Sequence, residues 1–233
     1  MTDTDHAPAI RIARGLAWSA LAIATMLAAS WYAWAQLPAD AQLPIHWNIA
    51  GVVDGYAPKA MALLFAPAVA VLIVAVFAIV PLLEPRRENL NRGRTLYHAV
   101  WAGMLIVFAA VHAHIVAAAL GVAPERPSFL IPILGILFIV IGNFLGKTRS
   151  NFVMGVRTPW TLSSEYSWEK THRWLGRVWV ALGLATAASP FFLGFQGQMI
   201  LFVGGALATA LAAVVMSYVY WRNDPARGAR DGA

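Results

Sequence analysis

Uncharged apolar runs dominate the chain, and six of them are long enough to cross a hydrocarbon core of roughly 30 Å at about 1.5 Å of rise per helical residue. They span residues 16–37, 60–83, 96–122, 129–145, 178–195 and 199–221. Runs of this kind predict an all-α integral membrane protein built as a six-transmembrane-helix bundle. The first run is too long for the apolar region of a cleaved signal peptide and reads as a retained helix. Pro67, Pro81, Pro132 and Pro190 lie inside or at the ends of runs, where a membrane helix tolerates a kink if its neighbours satisfy the freed carbonyls. Trp31, Trp34, Trp47, Trp174 and Trp221 fall near run ends, the headgroup level at which an amphipathic ring is most stable.

Two polar segments break this pattern. Residues 43–59, rich in Gly and Pro, predict a tightly folded loop between the first two spans. Residues 142–177 begin as a polar stretch punctuated by Gly155 and Pro159 and then take up a helical period near Ser163. Trp168, His172, Leu175 and Trp179 share one face of that helix, and Glu169 and Arg173 are spaced for an i,i+4 pair on another. Glu165 suits the positive end of its dipole. An amphipathic helix is therefore expected to run into the fifth span.

Composition agrees with the pattern: 60% of the 233 residues are hydrophobic, 12% are charged, and the mean hydropathy is +0.64. A water-soluble domain does not bury that much apolar surface. The net charge of +6 becomes informative through its placement. Arg11 and Arg14, then Arg86, Arg87, Arg92 and Arg94, then Lys147, Arg149, Arg157, Lys170, Arg173 and Arg177, then Arg222, Arg227 and Arg230 alternate with the spans, leaving Lys59 and Arg126 for the other side. The positive-inside rule puts both termini and residues 142–177 in the cytoplasm and residues 43–59 outside. The basic excess is thereby explained as topology and membrane-lipid contact, so no direct nucleic-acid binding is expected. The absence of cysteine excludes disulfides, thiolate metal sites and thiol nucleophiles.

Candidate chemistry concentrates in the two loops. The outer one gathers His46, Asn48, Asp54 and Lys59. These residues read either as a recognition site for an external ligand, with a low-affinity metal site as a variant, or as a structured turn in which Asn48 and Asp54 hold backbone and His46 pairs with Asp54. Two ligands fall short of the three or four of a zinc site, and no metal or other cofactor is expected. The inner loop reads either as a lipid-surface element or as a docking surface shaped by Arg157, Pro159 and Trp160. In the second case Arg157 needs acceptors, from carbonyls at the inner end of the fourth span or from Glu165 and Glu169. His112 and His114, two residues apart in the third span, point to different faces and read as neutral interhelical hydrogen-bonding groups. Asn143 is expected to bond a neighbouring helix. The span interiors contain no Asp, Glu, Lys or Arg, which argues against a carboxylate-driven transporter. A small-solute channel or transporter and a membrane-embedded enzyme remain as alternatives, the latter requiring folding to assemble Arg157 and His172 with Glu165 and Glu169.

The inner segment, from Gly142-Asn143 through Arg157-Thr-Pro-Trp-Thr-Leu162 to Thr171-His-Arg-Trp-Leu-Gly176, resembles the signature of the SdpI-type immunity proteins. The outer segment from Leu43 to Lys59 resembles the short domain that precedes it in many members. The resemblance implies a non-enzymatic membrane protein that protects a bacterium against a secreted, membrane-active toxic peptide and captures a cytoplasmic transcriptional repressor. Carried over by position, the motif residues are His46, Asn48, Gly51, Asp54 and Lys59 outside. Inside they are Asn143, Lys147, Asn151, Gly155, Arg157, Thr158, Pro159, Trp160, Thr161, Trp168, Thr171, His172, Arg173 and Gly176. Ser150 stands where the family pattern has a proline, and Ser167 where it has an aliphatic residue. The implied organisation is a cytoplasmic segment (1–15), three spans (16–122), an SdpI-like region (123–221) and a cytoplasmic tail expected to be unstructured (222–233).

Overall fold

A computed structural model of the chain describes residues 9–124 and 126–227. Arg230, counted above with the inner charges, lies outside the described residues, as do the ends of the N-terminal segment and of the tail. The chain runs through α1 (Ile12–Gln36), a hairpin of β1 (Gln42–Trp47) and β2 (Val53–Pro58), α2 (Lys59–Leu83), α3 (Arg87–Arg92) and α4 (Arg94–Ala119). It continues through α5 (Leu130–Leu145), α6 (Pro159–Ser163), α7 (Glu165–Ala188), α8 (Phe195–Met199) and α9 (Gly205–Arg222), the last two joined by a π-helical turn. Four helical stretches are long and apolar enough to cross a membrane: α1, α2, α4 and Phe195–Arg227. The 16 residues of α5 make a shorter apolar helix. Large side chains such as Leu21, Leu72 and Leu211 stay exposed on the outward helix faces, as lipid contact requires.

Three boundaries differ from the expectation. First, α4 stops at Ala119, short of Val122. Gly121 takes φ +71, and the N–H groups of Gly121 and Val122 bond the carbonyls of Ala118 and Ala117, which closes the helix as a Schellman motif. Second, α7 is one rod through the amphipathic part and the fifth run. It ends at Ala188, where Ser189–Phe191 form a 3₁₀ turn around Pro190; proline cannot supply the N–H a continuing helix needs. Third, the expectation of an all-α chain is corrected by the hairpin. Leu43 pairs with Ala57 and Trp47 with Val53 in an antiparallel ladder that runs directly into α2.

The helices form two groups. In one, α1, α2 and α4 pack together around Met26, Tyr97, Trp101 and Leu105. In the other, α5 and α7 cross most closely of all, with α9 against α7. Glycines make that crossing possible: a Cβ on Gly142 would lie 2.6 Å from the Gly176 carbonyl oxygen, and one on Gly183 would lie 2.5 Å from that of Gly135. Small residues are what allow membrane helices to bring their backbones together. Asn143 faces away from this seam, exposed and without a side-chain hydrogen bond among the described residues, so the expected interhelical bond is not formed. His112 does join helices: its Nε2 lies 3.0 Å from Ser30 Oγ and 3.1 Å from the Met26 carbonyl, while Ser30 Oγ donates to the Leu63 carbonyl at 2.7 Å. His114 points elsewhere, against the rings of Trp47 and Phe129.

Candidate functional site

The α5–α7 connection is folded by its own side chains. Asn151, fully buried, accepts from the Val153 and Met154 N–H groups at 2.9 and 2.8 Å and donates to the Arg149 carbonyl at 2.8 Å. Thr158 caps α6 in a reciprocal pair with Thr161, whose hydroxyl also donates to the Val156 carbonyl at 2.6 Å. Pro159 fits because the first turn of a helix needs no N–H from it. Ser164 caps α7 through the Ser167 N–H at 3.0 Å.

His172 is the prop beneath this loop. It is fully buried, stacked on Trp168 with ring centroids 4.0 Å apart. Its Nδ1 lies 2.7 Å from the Trp168 carbonyl and its Nε2 accepts the Val156 N–H at 2.8 Å. A carbonyl demands a donor and an amide demands an acceptor, so the ring is neutral with its proton on Nδ1. Burial pushes its pKa down to about 4, partly opposed by the bond to Trp168. Gly155 lies over the ring at φ +106, where an added Cβ would sit 2.2 Å from Nε2. The motif residues Gly155 and His172 are thus one packing unit. Trp168 Nε1 reaches the Thr148 carbonyl at 3.2 Å, and Thr171 is fully buried with no hydrogen-bond partner for its hydroxyl among the described residues.

The remaining members of the motif lie toward the surface, Lys147, Arg157 and Arg173 exposed and Trp160 half-buried. Arg157 donates to the Phe152 carbonyl at 2.7 Å, and not to the expected acceptors Glu165 and Glu169 or the end of α5. Glu169 instead pairs with Arg173 and, at 3.9 Å, with Arg149. Among the described residues no hydrogen bond or ion pair joins Arg157, His172, Glu165 and Glu169 to one another. Trp160 packs edge-on against Tyr218 of α9 at 5.2 Å, and Lys147 lies over the Phe144 ring.

Sequence reasoning missed the groups that dock this loop on the rest of the protein. Glu84, immediately after α2 and 3% exposed, accepts from the Arg86 N–H at 2.8 Å and from the Phe152 N–H at 2.9 Å. Arg86 donates to the Ser150 hydroxyl, and Asn89 to the Ser150 carbonyl at 2.8 Å. From α9, Ser217 accepts the Thr158 hydroxyl at 3.0 Å and its carbonyl accepts the Ser167 hydroxyl at 2.7 Å, and just past the end of α9 Asp224 accepts the hydroxyl of Ser164 at 2.6 Å. The two positions that depart from the family pattern, Ser150 and Ser167, are both buried and both bonded in this way. A lone carboxyl between an apolar run and two arginines was the available signal for Glu84; Ser217, inside an apolar run, offered none.

At the opposite end of α2, the hairpin holds His46, Asn48 and Asp54. Asn48 Oδ1 accepts from the Ala50 and Val52 N–H groups at 2.9 and 3.1 Å, and Gly51 turns the chain at φ +77. The ladder is irregular at His46, opposite Gly55. A bulge of this kind re-aims a side chain, and His46 Nδ1 meets Asp54 Oδ1 at 2.5 Å with both side chains largely open to solvent. Lys59 is separate from that pair: it is buried, donates to the Trp34 and Leu37 carbonyls at 3.2 and 2.9 Å, and thereby caps the end of α1. Among the described residues there is no group of three or more His, Asp or Glu able to hold a metal.

Apolar helices of spanning length, a polar hairpin at one end and a docked polar loop at the other define a multi-pass membrane protein. Residues 147–217 match the SdpI/YfhL protein family, and residues 21–71 match a domain of unknown function, DUF1648. The chain is 34% identical over 89 residues to "Immunity protein SdpI" of Bacillus subtilis (strain 168), a stretch covering 38% of this chain and 42% of that protein. The chain therefore aligns with less than half the length of this curated relative. No solved structure matches. The chain is thus a multi-pass bacterial membrane protein in which a segment similar to the SdpI/YfhL family follows one similar to DUF1648.

Proposed function

We propose that this protein is a non-enzymatic immunity and signal-transduction protein that protects the cell against a secreted, membrane-active toxic peptide and recruits a cytoplasmic transcriptional repressor. In this reading the chain crosses the membrane six times with both termini inside, the hairpin faces outward and residues 142–177 face the cytoplasm. The observation that carries it is the continuity of α2. Strand β2 enters the helix at Lys59 with no linker, and just beyond its far end Glu84 holds the Phe152 N–H. Its 25 residues span roughly 37 Å at 1.5 Å each. A peptide that binds one position of the hairpin more tightly than another biases the inner loop through this rod, as population shift requires. The exposed His46–Asp54 pair is the outer contact. Lys147, Arg157, Trp160 and Arg173 form the inner surface, set in place by the buried Asn151, Thr161, Trp168, Thr171 and His172.

The test is a His46→Ala, Asp54→Ala double variant at matched abundance in a sensitive host exposed to medium conditioned by the source bacterium. Survival is expected to fall while membrane insertion is unchanged; unimpaired protection removes the hairpin from the mechanism. Alkaline phosphatase fused within residues 43–59 is expected to be active and within residues 150–171 inactive, and the reverse result overturns the topology.

A further inference from the structure

The α1–α2–α4 and α5–α7–α9 groups do not close on each other completely. Between them lies a cavity of about 680 Å³, walled by Val76 of α2, Val100 of α4, Trp179 of α7 and Ala210 and Val214 of α9, with Arg157 on its rim. Val76 and Val214 remain 46% and 44% exposed, and α2 and α9 form no packed seam, so the cavity opens sideways between these two helices. Its wall offers water little to bond. Residues 152–157 of the loop close one end, and of the polar side chains along the helices the Tyr97 hydroxyl donates to the Phe77 carbonyl and the Trp179 indole N–H to Thr209 Oγ1, so the helical wall favours an apolar occupant over water. The exception is Arg157, whose guanidinium carries five N–H groups and uses one hydrogen bond, to Phe152, among the described residues.

An apolar cavity with a lateral opening and an unneutralised arginine at its rim matches an amphiphile with one hydrocarbon chain inside and an anionic group at the mouth. Shape separates the candidate occupants: an apolar helix is about 10 Å across and rigid, whereas an acyl chain is narrower and flexible enough to follow an irregular gap between helices. We propose that this cavity is a binding site for an anionic phospholipid, with one acyl chain between α2 and α9 and the phosphate on Arg157. Basic pockets between membrane helices bind lipid headgroups by this same combination of charge and apolar contact. The site shares Arg157 with the inner surface proposed above, but lipid binding there requires neither a toxin nor a repressor.

The experiment is native mass spectrometry of the purified full-length protein in neutral detergent, titrated with phosphatidylglycerol or phosphatidylcholine. One phosphatidylglycerol is expected to bind at least about tenfold more tightly than phosphatidylcholine, as a charge-assisted contact allows. Arg157→Ala should reduce that preference to within about twofold. Ala210→Trp, which fills the cavity from an exposed wall position, should weaken both lipids about tenfold, and Val76→Trp should do the same from the opposite wall. Excess inorganic phosphate should leave the lipid bound, because the headgroup alone lacks the apolar contact. A preference that survives Arg157→Ala, undiminished binding in both tryptophan variants, displacement by phosphate, or a peptide instead of a phospholipid retained from the native membrane would each overturn the proposal. None of these readouts uses toxin protection, so failure of the immunity reading leaves the test intact.

Discussion

Glu84→Gln isolates the contact that ties the inner loop to the end of α2. The wild-type carboxyl offers one oxygen to the Arg86 N–H at 2.8 Å and the other to the Phe152 N–H at 2.9 Å, in a site 3% exposed. Glutamine keeps one acceptor and turns an NH₂ group toward the second amide, so a buried N–H loses its partner without a change in side-chain size. Such a loss costs about 1–3 kcal/mol. At about 2 kcal/mol the equilibrium between docked and released loop moves about 30-fold. Trypsin reads this at Lys147, Arg149 and Arg157 in the purified protein, under dilute protease where cleavage tracks the open population. Cleavage within 147–157 is expected to accelerate about 30-fold in Glu84→Gln, and about fivefold in Asn89→Ala, which removes a single hydrogen bond to Ser150 worth about 1 kcal/mol. An unchanged rate in Glu84→Gln would refute the docking argument, and with it the role of α2 as the rod joining the two ends.

Gly142→Ala places a Cβ 2.6 Å from the Gly176 carbonyl oxygen and 2.9 Å from the Val180 nitrogen, both backbone atoms that cannot rotate away. Thermal unfolding in detergent should show a loss of about 1–3 kcal/mol, whereas Gly194→Ala, with nothing within 4 Å, should be nearly neutral. Because the His172 pKa is about 4 in the folded protein against 6.5 unfolded, the unfolded state takes up a proton that the folded state refuses as pH falls through this window. Its contribution is fully present above pH 6.5 and lost progressively toward pH 4. Stability should drop by about 2 kcal/mol from pH 7.5 to pH 5, and His172→Gln, though less stable, should lose that part of the pH dependence. A wild-type profile that is flat over this range would contradict the neutral-imidazole assignment.

The loop at residues 142–177 shows where linear information ends. That a helix starts near Ser163, that Glu169 pairs with Arg173 and that Trp168, His172 and Leu175 share one face follow from local spacing, because their partners lie within about two turns; the short helix α6, started by Thr158 and Pro159, was not read from it. The resemblance marked His172 and Gly155 as motif residues, yet their relation as ring and overlying backbone exists only once Gly155 adopts φ +106. Asn143 and Arg157 went the other way. Their chemistry promised Asn143 an interhelical bond and Arg157 either a carboxylate or a carbonyl at the end of α5, and the orientation of α5 and the path of the loop denied both, leaving Arg157 on the Phe152 carbonyl.

The apolar runs by themselves determined that this chain belongs in a bilayer, because the cost of exposing such lengths to water depends on composition and not on arrangement. The same local logic placed α1, α2 and α4 to within a few residues and marked both polar loops. The tertiary structure decided that the segment 43–59 is a hairpin, since strand pairing is a relation between residues up to 16 apart, Gln42 with Pro58. It also decided that α5 and α7 meet through Gly135, Gly142, Gly176 and Gly183, and that Glu84, Arg86, Asn89 and Ser217 hold the inner loop. Those contacts join residues more than 30 positions apart, and a single sequence carries no periodic signal for a partner whose distance along the chain is arbitrary; only the packing of helices whose lipid-facing sides all look alike can bring such groups within hydrogen-bonding range.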